Sequence, residues 1–95
     1  MHTLATVEYE WDPAKAKANL RDHRVDFADA ALALEDPLAR TVHDPDASGE
    51  ERYVSLGADP TGRLLVTVFT RRKHRIRIIS SRRASRAERR HYEET

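Results

Sequence analysis

The stretch RRKHRIRIISSRRASRAERR, Arg71–Arg90, carries ten of the chain's 17 Lys and Arg residues. It is either a disordered basic tail or a folded site, and two local patterns decide between them. Along RIRIIS the pleat of an extended strand sends Ile76, Ile78 and Ser80 to one face and Arg75, Arg77 and Ile79 to the other. One face then takes a core and the other displays guanidinium groups. Further on, Ser85 and Glu88 form the S-x-x-E capping box that opens a helix over about 86–94, each satisfying an amide the first turn would leave orphaned. The stretch therefore contains a turn, a strand, a second turn and a helix start.

Working upstream, RLLVTVFT (63–70) is apolar on both faces, as a central strand is. The loop ADPTG has hairpin length and turn residues, and RYVSLG and RTVH on either side of the loop DPDASGE complete an antiparallel sheet of about four strands. VEYEW alternates Val7, Tyr9 and Trp11 with Glu8 and Glu10, which predicts a shorter first strand able to join that sheet. Asp12-Pro13 supplies an N-cap and a preset first residue for a helix over 13–23, with a thin apolar stripe of Ala16, Leu20 and His23. A second helix starts at Asp26, buries Phe27, Ala30, Ala31 and Leu34, and stops at Asp36-Pro37. Arg24, between the helices, falls where a left-handed C-cap is needed, at a cost of roughly 1 kcal/mol against Gly. The expectation is a single α+β domain over residues 1–95, with two N-terminal helices and one C-terminal helix.

Net charge is only +1, but the charges are segregated. Residues 1–70 hold 7 Lys/Arg against 13 Asp/Glu, and residues 71–95 hold 10 against 3. Such a dipole concentrates a positive field on one surface, and that field attracts phosphate. For one Arg a solvated, charge-protected edge strand would suffice. Arg71, Arg72, Lys73, Arg75, Arg77, Arg82 and Arg83 together point to a phosphate-binding surface. The last helix adds to this by placing Arg86, Arg89 and Arg90 in its first half and Glu93 and Glu94 in its last turn, against the helix dipole. Pairing of Arg89 with Glu93 and Arg90 with Glu94 is the plainer explanation.

Several chemistries are unsupported. The chain has no Cys, so thiolate chemistry and Cys-based zinc sites are excluded. His2, His23, His43, His74 and His91 lack paired helical spacing, and DPDASGEE lacks the ligand spacing of a calcium loop, so no metal is expected. None of the three glycines starts a helix as a phosphate loop requires, and no cofactor is implied. The absence of a signal-peptide layout and of a long apolar run predicts a soluble, cytoplasmic protein without membrane contact. What remains is metal-free chemistry on RNA, whose 2′-hydroxyl is its own nucleophile. Arginines can stabilise the crowded phosphate. Glu51, a histidine or Tyr92 can move protons, although His23 on its small-apolar helix fits a structural hydrogen bond better.

The segment YEWDPAKAKANLRDHRVDF, with its aromatic, W-D-P, Lys, N-L, His and V-x-F, resembles the opening of BrnT family toxins. The pairs and runs DP (36–37), ERYVSLG, LLVTVFTRR, RIRIISSRRA and ERRHYE continue the resemblance in order over nearly the whole chain. It implies a RelE-like fold acting as a ribonuclease toxin that inhibits growth. It also implies a BrnA-type ribbon-helix-helix antitoxin, which neutralises the toxin and represses the shared operon, so that DNA is met only through that partner. The family's motif residues fall on Lys15, Asn19, His23, Glu51, Arg52, Arg72, Arg77, Ser80, Arg82, Glu88 and Tyr92. On this basis Arg72 and Arg77 hold the scissile phosphate, Arg52 and Arg82 clamp it, and Glu51 transfers a proton. The structural alternative for Glu51 is pairing with Arg75 or Arg77 across strands. Lys15, Arg71, Lys73, Arg75, Arg83 and Arg86 are the further RNA contacts. Glu88 and Tyr92 either take part or anchor the last helix, and Trp11, Asp12, Pro13 and Asn19 are structural. The chain departs from the family pattern at Arg24, where Gly is usual, at Phe69, where Tyr is common, and at the Lys73-His74 turn, usually holding Gly. The arginines alone would equally suit a non-catalytic nucleic-acid-binding module, or a basic face that meets an acidic antitoxin segment.

Overall fold

The computed structural model describes residues 7–44 and 49–94, so His2 and most of the loop DPDASGE lie outside the described residues. Asp12 caps the first helix, α1 (Pro13–His23), its carboxylate accepting from the Ala14 amide at 2.8 Å. Pro13 takes the first helical position, where no amide is needed. Arg24 ends the helix in the left-handed conformation (φ 58°), its amide donating to the Leu20 carbonyl at 3.0 Å. Asp26 caps α2 (Phe27–Leu34) in the same way, accepting from Ala28 at 2.9 Å.

Of the apolar stripe expected on α1, only Ala16 meets the core. Leu20 is 47% exposed, and the buried residue of the helix is Asn19. Its Nδ2 donates to the carbonyls of Val25 (3.0 Å) and Ser81 (2.8 Å), and its Oδ1 accepts from the Ser81 amide (3.0 Å). A helix with so little apolar surface is held by a side chain that satisfies buried backbone groups, which would otherwise cost about 1–3 kcal/mol each.

The sheet has five strands, β1 (Glu8–Glu10), β2 (Arg40–Asp44), β3 (Arg52–Ala58), β4 (Leu64–Arg72) and β5 (Arg75–Arg83), in the order β1-β5-β4-β3-β2. β4 is central, as its apolar run predicts. The sheet is mixed, which corrects the expectation of about four antiparallel strands: β1 joins the free edge of β5 in parallel, pairing Glu8 with Arg75 and Glu10 with Arg77. Parallel pairing needs a long crossover, and here the chain between β1 and β5 supplies it. A bulge then breaks the alternation read from RIRIIS. Val68 faces Ser80 but Phe69 faces Ile78, which leaves Ile79 as the extra residue. Ile78 and Ser81 consequently both turn toward the core, each 1% exposed, and Ser80 turns away from it.

The core lies between the sheet and the pair α1 and α2. Val25, Phe27, Ala30, Ala31, Ala33, Leu65 and Ile78 form it, and Tyr9, Trp11, Ala16 and Leu34 pack against it. Trp11 meets Phe27 edge-on at 5.9 Å, and α2 lies so close to β3 that a Cβ on Gly57 would come within 2.5 Å of the Ala33 carbonyl oxygen. The third helix, α3 (Arg86–Glu93), sits over the opposite face, and none of its own residues is buried. Polar links hold it: the Ser85–Glu88 capping box, two bonds from Arg82 to Glu88 at 2.9 Å, and a bond from Tyr92 Oη to Asp36 Oδ2 at 2.5 Å. Because α3 ends at Glu93, Arg90 and His91 fall in its last turn and Glu88 in its first. The expected reversal of the dipole rule is thereby confined to Arg86 and Glu93.

Candidate nucleic-acid interface

Strand register assembles the site on the face of the sheet not covered by α1 and α2. Arg52 of β3, Thr70 of β4, Arg77 of β5 and Glu10 of β1 are successive cross-strand partners, and Asp44 of β2 extends the row. One pleat nearer the β4–β5 turn, Arg72, Arg75 and Glu8 form a parallel row. Directly opposed residues share a face with Cβ atoms about 5 Å apart. Arg52, Arg72, Arg75 and Arg77 therefore surround the position above Thr70 from both neighbouring strands and from its own. Thr70 itself is buried, its hydroxyl donating to the Glu51 carbonyl at 2.6 Å.

Each of these guanidinium groups has a carboxylate neighbour. Arg77 Nη1 donates to Glu10 Oε2 at 2.9 Å, and Arg75 reaches Glu8 at 3.1 Å and Glu10 at 3.4 Å. Glu50 lies 3.5 Å from Arg72 and 3.8 Å from Arg52. The hydrogen bond from Arg77, followed by that from Arg75, holds the Glu10 carboxyl below its ordinary range. The Glu8 and Glu10 carboxylates in turn raise Arg75. Arg52 is the least satisfied: its Nε is buried without a hydrogen-bond partner. A cleft of about 570 Å³ opens beside these rows, lined by Glu8, Glu10, Arg72, Lys73, His74 and Arg75. Lys73 holds a left-handed conformation (φ 57°) at its rim.

The remaining candidates disperse. Glu51 does not face the arginines: its carboxylate accepts from Tyr53 Oη at 3.3 Å, and the carboxylate that meets Arg52 and Arg72 is Glu50. Pairing of Glu51 with Arg75 or Arg77 is likewise replaced by the pairs with Glu8 and Glu10. Arg82 is on the correct face but is bound through both Nη atoms to Glu88, so it serves the α3 cap. That contact, then the Ser85 amide, lowers the Glu88 pKa to about 2. Arg71 points to the other face, its guanidinium 5.4 Å above the Tyr53 ring. Lys15 is exposed on α1, also across the sheet. Arg83 lines a separate hollow with Arg63 and Arg89, and Arg86 is exposed at the start of α3.

Glu8, Glu10 and Glu50 are the site residues the sequence reading missed. The alternation of VEYEW already assigned Glu8 and Glu10 to an outward face; what it lacked was the partner strand. Among the described residues no group of three or more His, Asp or Glu could hold a metal ion, and no helix is long and apolar enough to cross a membrane.

A three-helix, mixed-sheet α+β fold with guanidinium groups arrayed on its open sheet face defines a small cationic-surface protein. The family model described as the ribonuclease toxin BrnT of type II toxin-antitoxin systems matches residues 11–88, and the chain belongs to that family. The crystal structure of the Brucella abortus ribonuclease toxin BrnT superimposes with a TM-score of 0.67 at 24% identity, covering 85% of this chain and all of the other. That likeness establishes the shared α+β fold. No curated protein matches the sequence.

Proposed function

We propose that the face around Thr70 binds and cleaves RNA without a metal ion. The carrying observation is the convergence of Arg52, Arg72, Arg75 and Arg77 from three strands on one position. The scissile phosphate lies above Thr70, and its developing charge is stabilised by Arg52, Arg72 and Arg77. The 2′-oxygen attacks phosphorus as the bond to the 5′-oxygen breaks, leaving a 2′,3′-cyclic phosphate. Glu50, beside Arg52 and Arg72, takes the 2′-hydroxyl proton in the role first given to Glu51. His74, lining the same cleft, returns a proton to the 5′-oxygen. Glu10 is poorly suited to be the base because its bonds with Arg77 and Arg75 weaken its hold on a proton.

The protein acts in the cytoplasm as a growth-inhibiting toxin, and a BrnA-type ribbon-helix-helix antitoxin neutralises it. Incubation of purified protein with RNA in EDTA tests the enzymatic reading. Cleavage lost in Arg77→Ala supports it; binding without cleavage identifies a nucleic-acid-binding module, and inhibition by EDTA rules out the metal-free route. Toxicity on expression that the co-expressed antitoxin fails to relieve would sink the partner assignment.

A further inference from the structure

We infer that Glu10 is a positioning residue of the cleavage site, orienting Arg77 and Arg75 over the phosphate at the expense of RNA affinity. The inference rests on the reading of the site just given. It follows from the one strand pairing that short-range sequence patterns do not announce: β1 lies parallel on β5 so that Glu10 stands directly beside Arg77.

An arginine on an open sheet face has several rotatable bonds and no packing to fix its guanidinium plane. Catalysis by charge stabilisation requires the donors to be aimed before the charge develops. Glu10 supplies the aim. Its two oxygens are divided between two guanidinium groups, Oε2 to Arg77 Nη1 at 2.9 Å and Oε1 to Arg75 Nη1 at 3.4 Å. The Glu10 and Arg77 side chains are only 24% and 30% exposed, whereas Glu8 and the Arg75 side chain are 60% and 59% exposed. Glu10 is itself fixed from below. It precedes Trp11, which packs edge-on against Phe27 of the core, and Asp12, which caps α1. The core thus sets Glu10, and Glu10 sets the two arginines, leaving the other Arg77 donors for a ligand. The same carboxylate is an anion within the footprint of a polyanion, so it opposes RNA binding by charge while it organises the donors.

This double role gives a signature that loss of structure cannot. Glu10→Gln and Glu10→Ala are compared with wild type and Arg77→Ala in single-turnover cleavage of an RNA oligonucleotide in EDTA. Binding is measured in parallel with the same oligonucleotide carrying 2′-O-methyl groups, which cannot be cleaved. Expected is a cleavage rate about tenfold lower in Glu10→Gln and lower still in Glu10→Ala, because glutamine keeps an acceptor oxygen. Affinity for the inert RNA should rise two- to fivefold in both. Combining Glu10→Ala with Arg77→Ala should cost little more than Arg77→Ala alone, since both remove one unit of machinery. If Arg77→Ala is impaired while Glu10→Gln cleaves at the wild-type rate, or if affinity and rate fall together, the inference is overturned and the site assignment stands. If Arg77→Ala cleaves like wild type, both are overturned.

Discussion

On the face of the sheet beneath α1 and α2, the central contacts are apolar or neutral: Phe27, Leu65 and Ile78 are essentially inaccessible, and Asn19 closes the backbone groups of Ser81. On the opposite face a half-buried row crosses the sheet with two cations between two anions, Glu10, Arg77, Arg52 and Asp44 in order, Arg77 and Arg52 flanking Thr70. Buried apolar area and satisfied backbone bonds supply stability, whereas exposed ion pairs contribute about 0–1 kcal/mol each. The charged rows of the second face are therefore free to be arranged for a ligand, because stability rests on the buried apolar residues, Leu64 and Val66 of that face among them.

The largest test of that contrast is Phe27→Ala, which should cost about 3–5 kcal/mol of unfolding free energy in denaturant titrations. A loss under about 1 kcal/mol would show that the helix-covered face is not where stability resides. Arg77→Ala should behave inversely. Cleavage should fall by about 100- to 1,000-fold while unfolding free energy moves by less than about 0.5 kcal/mol. An equal loss of stability would erase the distinction between the faces.

Asn19→Ala comes next, at about 2 kcal/mol, because it orphans the amide and carbonyl of Ser81 at the edge of β5 beyond the reach of β1. Unchanged stability would mean that water replaces the side chain there. Acid then probes the open face. The Glu88 carboxyl has its pKa lowered from 4.5 to about 2 by Arg82 and the Ser85 amide. A depressed folded-state pKa contributes stability that is present above the unfolded value of 4.5 and lost as pH falls through about 2. Partial exposure limits this contribution to about 1 kcal/mol. Wild type should exceed Glu88→Gln by that amount at pH 7, and the gap should close as pH falls toward 2; a gap constant with pH would assign the effect to packing.

Legibility in the sequence followed the range of the contacts. The caps of all three helices were readable because Asp12-Pro13, Asp26 and Ser85–Glu88 act within four residues, and β4 was readable as central because its own run is apolar on both faces. The bulge at Ile79 was not, since it exists only in the register between β4 and β5. Glu51 was chosen where Glu50 stands beside Arg72, a one-residue difference that in extended chain exchanges the two faces. Asn19 was correctly taken as structural, but its partner lies 62 residues away. The parallel β1–β5 pairing, which brings Glu10 to Arg77, spans 67 residues and leaves no local trace.

The smallest test uses two left-handed residues that differ in which part of the molecule they serve. Arg24 (φ 58°) ends α1 behind the core, and Lys73 (φ 57°) makes the turn at the rim of the cleft. Both adopt a conformation that Gly takes without a Cβ penalty, so Arg24→Gly and Lys73→Gly should each raise stability by up to about 1 kcal/mol. In thermal unfolding the greater freedom of glycine in the unfolded chain offsets part of that gain at both positions. RNA binding should separate them. Lys73→Gly removes a cation from the cleft, and the slope of log affinity against log salt should shrink by about 0.7, the value for one phosphate contact on a single strand. Arg24→Gly should leave that slope unchanged. Equal slopes in the two variants would mean that the Lys73-His74 turn lies outside the RNA path, confining the site to the rows around Thr70.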